Sequence, residues 1–76
     1  MSRPLEELTR DYDADSTQWE VIRTEVLPST NWRNRGGSSV QESLRHRITG
    51  EEMVRHTLLR PDGRVFRPPH FRLAWK

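Results

Sequence analysis

The segment at residues 60–64, Arg-Pro-Asp-Gly-Arg, places the strongest local constraint on the fold of this chain. Proline fits the second position of a type I turn, and glycine readily takes the left-handed conformation that follows such a turn. Apolar residues flank the segment on both sides, which predicts a β-hairpin with a three-residue loop. The expected opposing pairs are Arg60 and Arg64, Leu59 and Val65, and Leu58 and Phe66.

The length and composition of the chain predict one small domain over residues 1–76, with residues 1–16 and 28–39 as its most mobile segments. Folding of so short a chain buries only about 60% of its surface, so the core must be small. Hydrophobic and charged residues each make up 32% of the chain, but three Trp, two Phe and one Tyr supply bulky anchors. We therefore expect a folded centre with loose ends.

The chain contains no cysteine, which excludes disulfides and thiolate metal sites and favours a reducing compartment. Residues 1–13 lack the apolar run of a signal peptide, and no apolar stretch is long enough to span a bilayer. We therefore expect a cytoplasmic protein that is not bound to a membrane.

Charge is distributed unevenly along the chain. Residues 1–30 carry a net charge of −4, residues 31–76 carry +6, and twelve of the thirteen basic residues are arginine. A guanidinium group binds phosphate through two hydrogen bonds and stacks on bases, although a GC-rich genome also favours arginine over lysine. The basic part of the chain is thus suited to an anionic partner.

Segments before the hairpin predict one helix and three strands. Residues 3–12 predict a short helix, with Leu5, Leu8 and Tyr12 on one face. Residues 18–27 are rich in β-branched side chains and predict a strand, although a capping box opened by Thr17 also allows a helix. Residues 43–48 and 53–60 predict two strands joined by a four-residue loop at 49–52. In the strand at 18–27, the sequence predicts Trp19, Val21 and Leu27 on one face and Ile22 and Val26 on the other.

The C-terminal segment predicts one more strand. Pro68-Pro69 is expected to interrupt the ladder and to place this part at a sheet edge or at a crossing between sheets. Beyond it, apolar and basic residues alternate strictly, which predicts a half-buried strand. One face carries Phe71, Leu73 and Trp75, and the other carries His70, Arg72 and Lys76.

These elements predict an α+β fold with a short N-terminal helix and a small antiparallel β-meander of four or five strands. Three capping-box patterns followed by a hairpin also fit a winged helix, which is the alternative.

Residues 28–39 form the longest turn-rich segment and contain Trp32, Arg33, Arg35 and a Gly-Gly pair. An aromatic ring beside arginines is suited to base stacking and phosphate contact. The shortage of large apolar residues favours the opposite interpretation, in which Trp32 packs into the core.

We predict a small, basic, non-enzymatic protein that binds DNA or RNA through an arginine-rich sheet face and the Trp32 loop. The candidate contact residues are Trp32, Arg33, Arg35, Arg45, Arg47, Arg55, Arg60, Arg64 and Arg72. The three histidines lack the spacing of a metal site, and we expect neither a metal nor a cofactor.

Two other functions remain open. The small core, the aromatic residues Trp32 and Trp75 and the opposite charges of the two halves also suit a protein-interaction module or a small regulator. Such a module would form a homo-oligomer or dock on a larger assembly. A weaker alternative is a metal-independent ribonuclease-like enzyme, in which a glutamate, a histidine and an arginine act together. Its candidates are Glu42 or Glu52, His46 or His56, and Arg45, Arg47 or Arg55.

Overall fold

A computed structural model describes residues 3–74, in which one α-helix accompanies a four-stranded antiparallel sheet. Helix α1 spans Leu5–Ala14, and the strands are β1 (Trp19–Pro28), β2 (Ser38–His46), β3 (Glu52–Leu59) and β4 (Val65–Leu73). The strands lie in the order β1-β2-β3-β4, so the sheet is a meander. This confirms the predicted α+β fold. The winged-helix alternative is wrong, because residues 19–28 and 38–46 are strands.

Helix α1 packs on one face of the sheet, which we call the helix face. Leu8 is fully buried there against Met53, and Leu5 and Tyr12 pack beside it, which confirms the predicted apolar face of the helix. The Tyr12 ring lies 5.5 Å from the ring of Phe71. Burial of each large apolar side chain contributes about 1.5–3 kcal/mol, so this small cluster carries much of the stability. The buried cluster on this face consists of Leu8, Trp19, Leu44 and Met53.

A β-bulge in β1 decides which of its side chains face the helix. Val21 and Arg23 pair with consecutive residues of β2, which leaves Ile22 as the extra residue. Beyond the bulge, Val26 lies on the same face as Val21, and Leu27 lies on the opposite face. The predicted grouping of Leu27 with Val21 is therefore wrong, because one inserted residue inverts the alternation of the strand.

Strand β2 begins at residue 38 and ends at residue 46, earlier at both ends than the predicted 43–48. The first half of β2 is a strand because it pairs with β1, and this pairing cannot be predicted from the strand preferences of the residues themselves. Its end is fixed by His46, whose Nδ1 accepts the backbone N–H groups of Ile48 and Thr49 at 3.1 and 3.2 Å. The connection to β3 therefore spans residues 47–51 instead of 49–52.

The predicted β3–β4 hairpin is confirmed. The Arg60 N–H donates to the Arg64 carbonyl at 2.7 Å, and Gly63 has a φ of +88°, the left-handed conformation expected at that position. Leu59 pairs with Val65 as predicted. The expected pairing of Leu58 with Phe66 is wrong, because a register shift places Arg67 opposite Leu58.

Strand β4 continues through Pro68 and Pro69 at the edge of the sheet. The edge position confirms the prediction, since an edge strand needs only half of its backbone donors. The two prolines do not interrupt the strand as predicted. They only shift the register of its pairing with β3, opposite residues 56–58. Beyond the shift, His70 and Arg72 lie on the face away from the helix, as predicted, while Trp75 and Lys76 lie outside the described residues.

Within residues 3–74, no helix is both long enough and apolar enough to cross a membrane.

Candidate nucleic-acid interface

The loop between β1 and β2 is docked on the β3–β4 hairpin by Asn34. Its side chain is only 2% exposed, and its Nδ2 donates to the Leu59 carbonyl at 2.8 Å. Gly37 lies against the same two groups. A Cβ atom on Gly37 would lie 2.2 Å from the Leu59 oxygen and 2.4 Å from Asn34 Nδ2, so only glycine fits there. The end of β3 and the loop are therefore held in direct contact.

Gly36 extends this contact to the tip of the hairpin. Its φ of +86° lies in the left-handed region, and the position of an added Cβ is 3.4 Å from Pro61 Cγ. The two arginines of the loop are thereby brought beside Arg60 of the hairpin. A shallow depression of about 280 Å3 is lined by Arg33, Asn34, Arg35, Arg60, Pro61 and Phe66.

Trp32 begins a one-turn 3-10 helix, Trp32–Asn34, and its side chain is 75% exposed. The interpretation that Trp32 packs into the core is wrong, because Asn34 takes the inward position of this turn. The Asn31 side chain caps the turn by accepting the Arg33 N–H at 2.9 Å. The guanidinium carbon of Arg33 lies 5.0 Å from the centre of the Trp32 ring, within the range of a cation–π contact.

A second aromatic group completes this end of the molecule. The half-buried Phe66 ring has the guanidinium carbon of Arg60 5.8 Å from its centre and that of Arg67 at 5.3 Å. We call the whole surface the basic end. It consists of Trp32, Arg33, Arg35, Arg60, Arg64, Phe66 and Arg67.

The basic end concentrates the positive charge of the chain. Asp62, the acidic residue of the hairpin loop, lies 3.8 Å from Arg64. Five arginines and this one carboxylate give a charge of +4. The whole chain carries +2, so the remaining residues sum to −2. Within residues 3–74, Arg33, Arg35, Arg60 and Arg67 form no ion pair, and each is exposed.

The other predicted contact arginines lie elsewhere. Arg55 lies on the helix face, where its Nη1 donates to Glu42 at 2.9 Å. Arg47 lies in the turn after β2 and donates from Nε to the Thr17 carbonyl at 3.1 Å. Neither side chain joins the basic end.

Arg45 and Arg72 lie on the face of the sheet opposite the helix, which we call the open face. Arg45 pairs with Glu20 at 3.4 Å, and Arg72 donates to the side chain of Gln41. An ion pair of Arg23 with Glu25 at 3.5 Å lies on the same face. The open face therefore has mixed charge, and the four arginines Arg45, Arg47, Arg55 and Arg72 do not share one surface.

The opposite end of the sheet carries an acidic network around Glu51. Arg3 donates its backbone N–H and its Nε to the two Glu51 oxygens at 2.8 and 2.9 Å, and its Nη2 reaches Asp11 at 3.0 Å. These hydrogen bonds lower the pKa of Glu51 to about 2. The hydroxyl and the N–H of Thr17 likewise lower the pKa of Asp15. The charge separation seen along the sequence is thus also a separation in space, about 25 Å along the strands.

The histidines and glutamates of the ribonuclease-like alternative are dispersed. Glu42 lies on the helix face and His56 on the open face, where His56 Nε2 is hydrogen-bonded to Ser39. His46 is buried beside Asp11, next to the acidic network around Glu51. Among the described residues, no three His, Asp or Glu side chains converge in a way that could hold a metal ion.

Asn34, Phe66 and Arg67 are not among the nine contact residues predicted from the sequence. The Gly36-Gly37 pair is the sequence feature that indicates the docking of this loop, because adjacent glycines often permit a close backbone approach. No local pattern reveals which segment makes that approach. Phe66 and Arg67 join the site only through the register shift in β4.

Comparison with known proteins finds no matching family model, no matching curated protein and no matching solved structure.

Proposed function

We propose that this protein binds single-stranded nucleic acid at its basic end and catalyses no reaction there. The observation that carries the proposal is the docking of the Trp32 loop on the Arg60 hairpin. That docking gathers five arginines and two aromatic rings from segments nearly thirty residues apart in sequence.

The arginines supply the phosphate contacts in this proposal. Four of them form no ion pair within residues 3–74, whereas the arginines on α1 and the sheet are mostly engaged with carboxylates. An unpaired guanidinium donates two parallel hydrogen bonds to a phosphate and releases counterions when it does so. The basic end is therefore the part of the described chain with the greatest affinity for a phosphate backbone.

Trp32 is the reason to propose a single strand. Its ring is largely in solvent, and stacking on an aromatic side chain requires a base that is not already stacked within a duplex. Stacking of this kind contributes about 1–3 kcal/mol per base and tolerates any sequence. Phe66 is half-buried and has two guanidinium groups beside its ring, whereas Trp32 is exposed and has only Arg33 beside it, so Trp32 is the better stacking platform.

The test is fluorescence anisotropy of labelled oligo-dT, oligo-U and a DNA duplex at several salt concentrations. For a single strand each phosphate contact lowers the slope of log K against log salt by about 0.7, so three to five contacts predict a slope of roughly −2 to −3.5. The two single strands should bind more tightly than the duplex, and the preference between them distinguishes DNA from RNA. Absence of binding, or binding that salt does not weaken, would contradict the proposal.

A matched pair of variants locates the contact. Arg35→Ala removes one exposed arginine from the basic end, and Arg10→Ala removes one exposed arginine from α1. The first should reduce the salt slope by about 0.7, and the second should leave it unchanged. Equal effects of the two variants would indicate a response to net charge alone.

The cytoplasmic location predicted from the absence of cysteine is compatible with a nucleic-acid partner.

A further inference from the structure

Strand β1 is an open edge of the sheet. The strand order places β1 and β4 at the two edges. Two prolines and two register shifts make β4 a poor template for another strand. By contrast, β1 has a single irregularity, the bulge at Ile22. It pairs regularly from Arg23 to Pro28, and every residue from Val21 to Pro28 is exposed.

The hydrogen-bond pattern shows which backbone groups point outward from this edge. The Ser29 N–H donates to the Gly37 carbonyl at 3.0 Å, so Pro28 and Ser38 form a pair that exchanges no hydrogen bonds. Because the pattern alternates, the N–H and C=O groups of Val26 and Thr24 also point away from β2. Within residues 3–74, no strand pairs with this edge.

We propose that β1 pairs antiparallel with β1 of a second copy of this chain, about a two-fold axis through Thr24. In that register Arg23 lies opposite Glu25 of the second copy, and Glu25 lies opposite the second Arg23. The two sheets then form one continuous sheet of eight strands. Because the copies are antiparallel, their basic ends point in opposite directions along the strands. This inference is independent of nucleic-acid binding.

Charge favours that register over the two adjacent ones. Residues paired across a continuous sheet lie on the same face, so the axis must pass through a residue of β1. An axis through Arg23 or through Glu25 would place two like charges directly opposite each other, which is destabilising. An axis through Thr24 forms two opposite-charge pairs, each on the open face.

Apolar exposure supports the same register. The described residues include eight exposed large apolar side chains, and four of them lie on β1. They are Val21, Ile22, Val26 and Leu27. With the axis at Thr24, Val26 of each copy comes next to the bulge at Ile22 of the other copy, so the association covers apolar surface as well as backbone groups.

Charge reversal tests the register. The variants R23E and E25R each place like charges opposite one another, whereas the double variant R23E/E25R restores opposite charges. By sedimentation equilibrium we expect the wild type and the double variant to form dimers, and each single variant to dimerise about tenfold more weakly. A wild type that stays monomeric from micromolar to millimolar concentration would overturn the proposal. So would single variants that dimerise like the wild type while circular dichroism shows them folded.

A cysteine introduced on the axis gives a second, covalent readout. The chain has no cysteine, so Thr24→Cys forms a disulfide only with another copy. Directly paired strand residues have Cα atoms about 5.5 Å apart, within the range that a disulfide bridges. The control is Ile48→Cys, at a side chain that is 77% exposed in the turn after β2. Under mild oxidation at equal concentration, the proposal predicts covalent dimers of the Thr24 variant and few of the Ile48 variant. Equal yields would refute it.

Discussion

The side-chain amide of Asn34 donates a hydrogen bond to the carbonyl oxygen of Leu59 at 2.8 Å, and this bond joins the loop that carries Trp32 to the hairpin that carries Arg60. Twenty-five residues separate the two partners in sequence. Without this contact, the aromatic ring and the arginines belong to two unrelated surface segments. The buried amide therefore positions the basic end without touching a ligand.

Substitution of the docking residues should affect both stability and binding. Asn34→Ala leaves the Leu59 carbonyl without its side-chain donor, and we expect a loss of about 1–3 kcal/mol in the free energy of unfolding by urea denaturation. Gly37→Ala should be at least as damaging, because its Cβ would overlap a backbone oxygen. Both variants should also bind single strands more weakly. The control is Thr30→Ala, an exposed change in the same loop. Wild-type binding by Asn34→Ala would show that the docking does not position the site.

Replacement of Trp32 should separate binding from folding. Because the ring is 75% exposed, Trp32→Ala should change the free energy of unfolding by less than about 0.5 kcal/mol. The loss of stacking should weaken single-strand binding by about 1–3 kcal/mol while the salt slope stays the same. Ile48→Ala, at an equally exposed apolar residue, should change neither quantity. A large loss of stability in Trp32→Ala would mean that the ring packs against the core.

The bond between Arg3 and Glu51 should make stability depend on acid. The pKa of Glu51 is lowered to about 2, so the carboxylate stabilises the folded state fully above about pH 4.5 and loses this effect as the pH falls towards 2. Because Arg3 is partly in solvent, we expect Glu51→Gln to cost about 1 kcal/mol near neutral pH. The difference from the wild type should shrink as the pH falls from about 4.5 towards 2. A Glu51→Gln deficit that is as large at pH 2 as at neutral pH would contradict this account.

The hydroxyl of Thr57 is buried and has no hydrogen-bond partner within residues 3–74. Replacement by valine removes a polar group that gains nothing from burial and keeps the branched shape of the side chain. Thr57→Val should therefore raise the free energy of unfolding by about 1 kcal/mol. Thr57→Ser keeps the hydroxyl but loses a methyl group, and it should be less stable than the wild type. A destabilised valine variant would mean that the hydroxyl is hydrogen-bonded in solution.

The sequence predicts the structure correctly where that structure depends on residues close together in the chain. The three-residue hairpin loop follows from Pro61 and Gly63, and the apolar face of α1 follows from the spacing of Leu5, Leu8 and Tyr12. Residue type alone identified β1 as a strand. In each of these cases the physical preference is contained within a few consecutive positions.

The sequence does not predict the structure correctly where that structure depends on which residues of neighbouring strands are paired. The bulge at Ile22 inverts half of β1, and it becomes visible only when the partner residues on β2 are known. The same holds for Arg55, because Glu42 reaches it from the neighbouring strand. Cross-strand carboxylates thus neutralise arginines that the sequence predicts as nucleic-acid contacts. The docking of Asn34 moves the basic surface to the end of the sheet.

The location of the interface is tested most directly by a 15N NMR titration with a short single-stranded oligonucleotide. We expect shift changes to cluster at residues 31–37 and 60–67 and at the indole N–H of Trp32. The indole of the buried Trp19, at the opposite end of the sheet, serves as an internal control and should not move. Shift changes confined to the open face or to α1, or no changes at all, would contradict a nucleic-acid interface at the basic end.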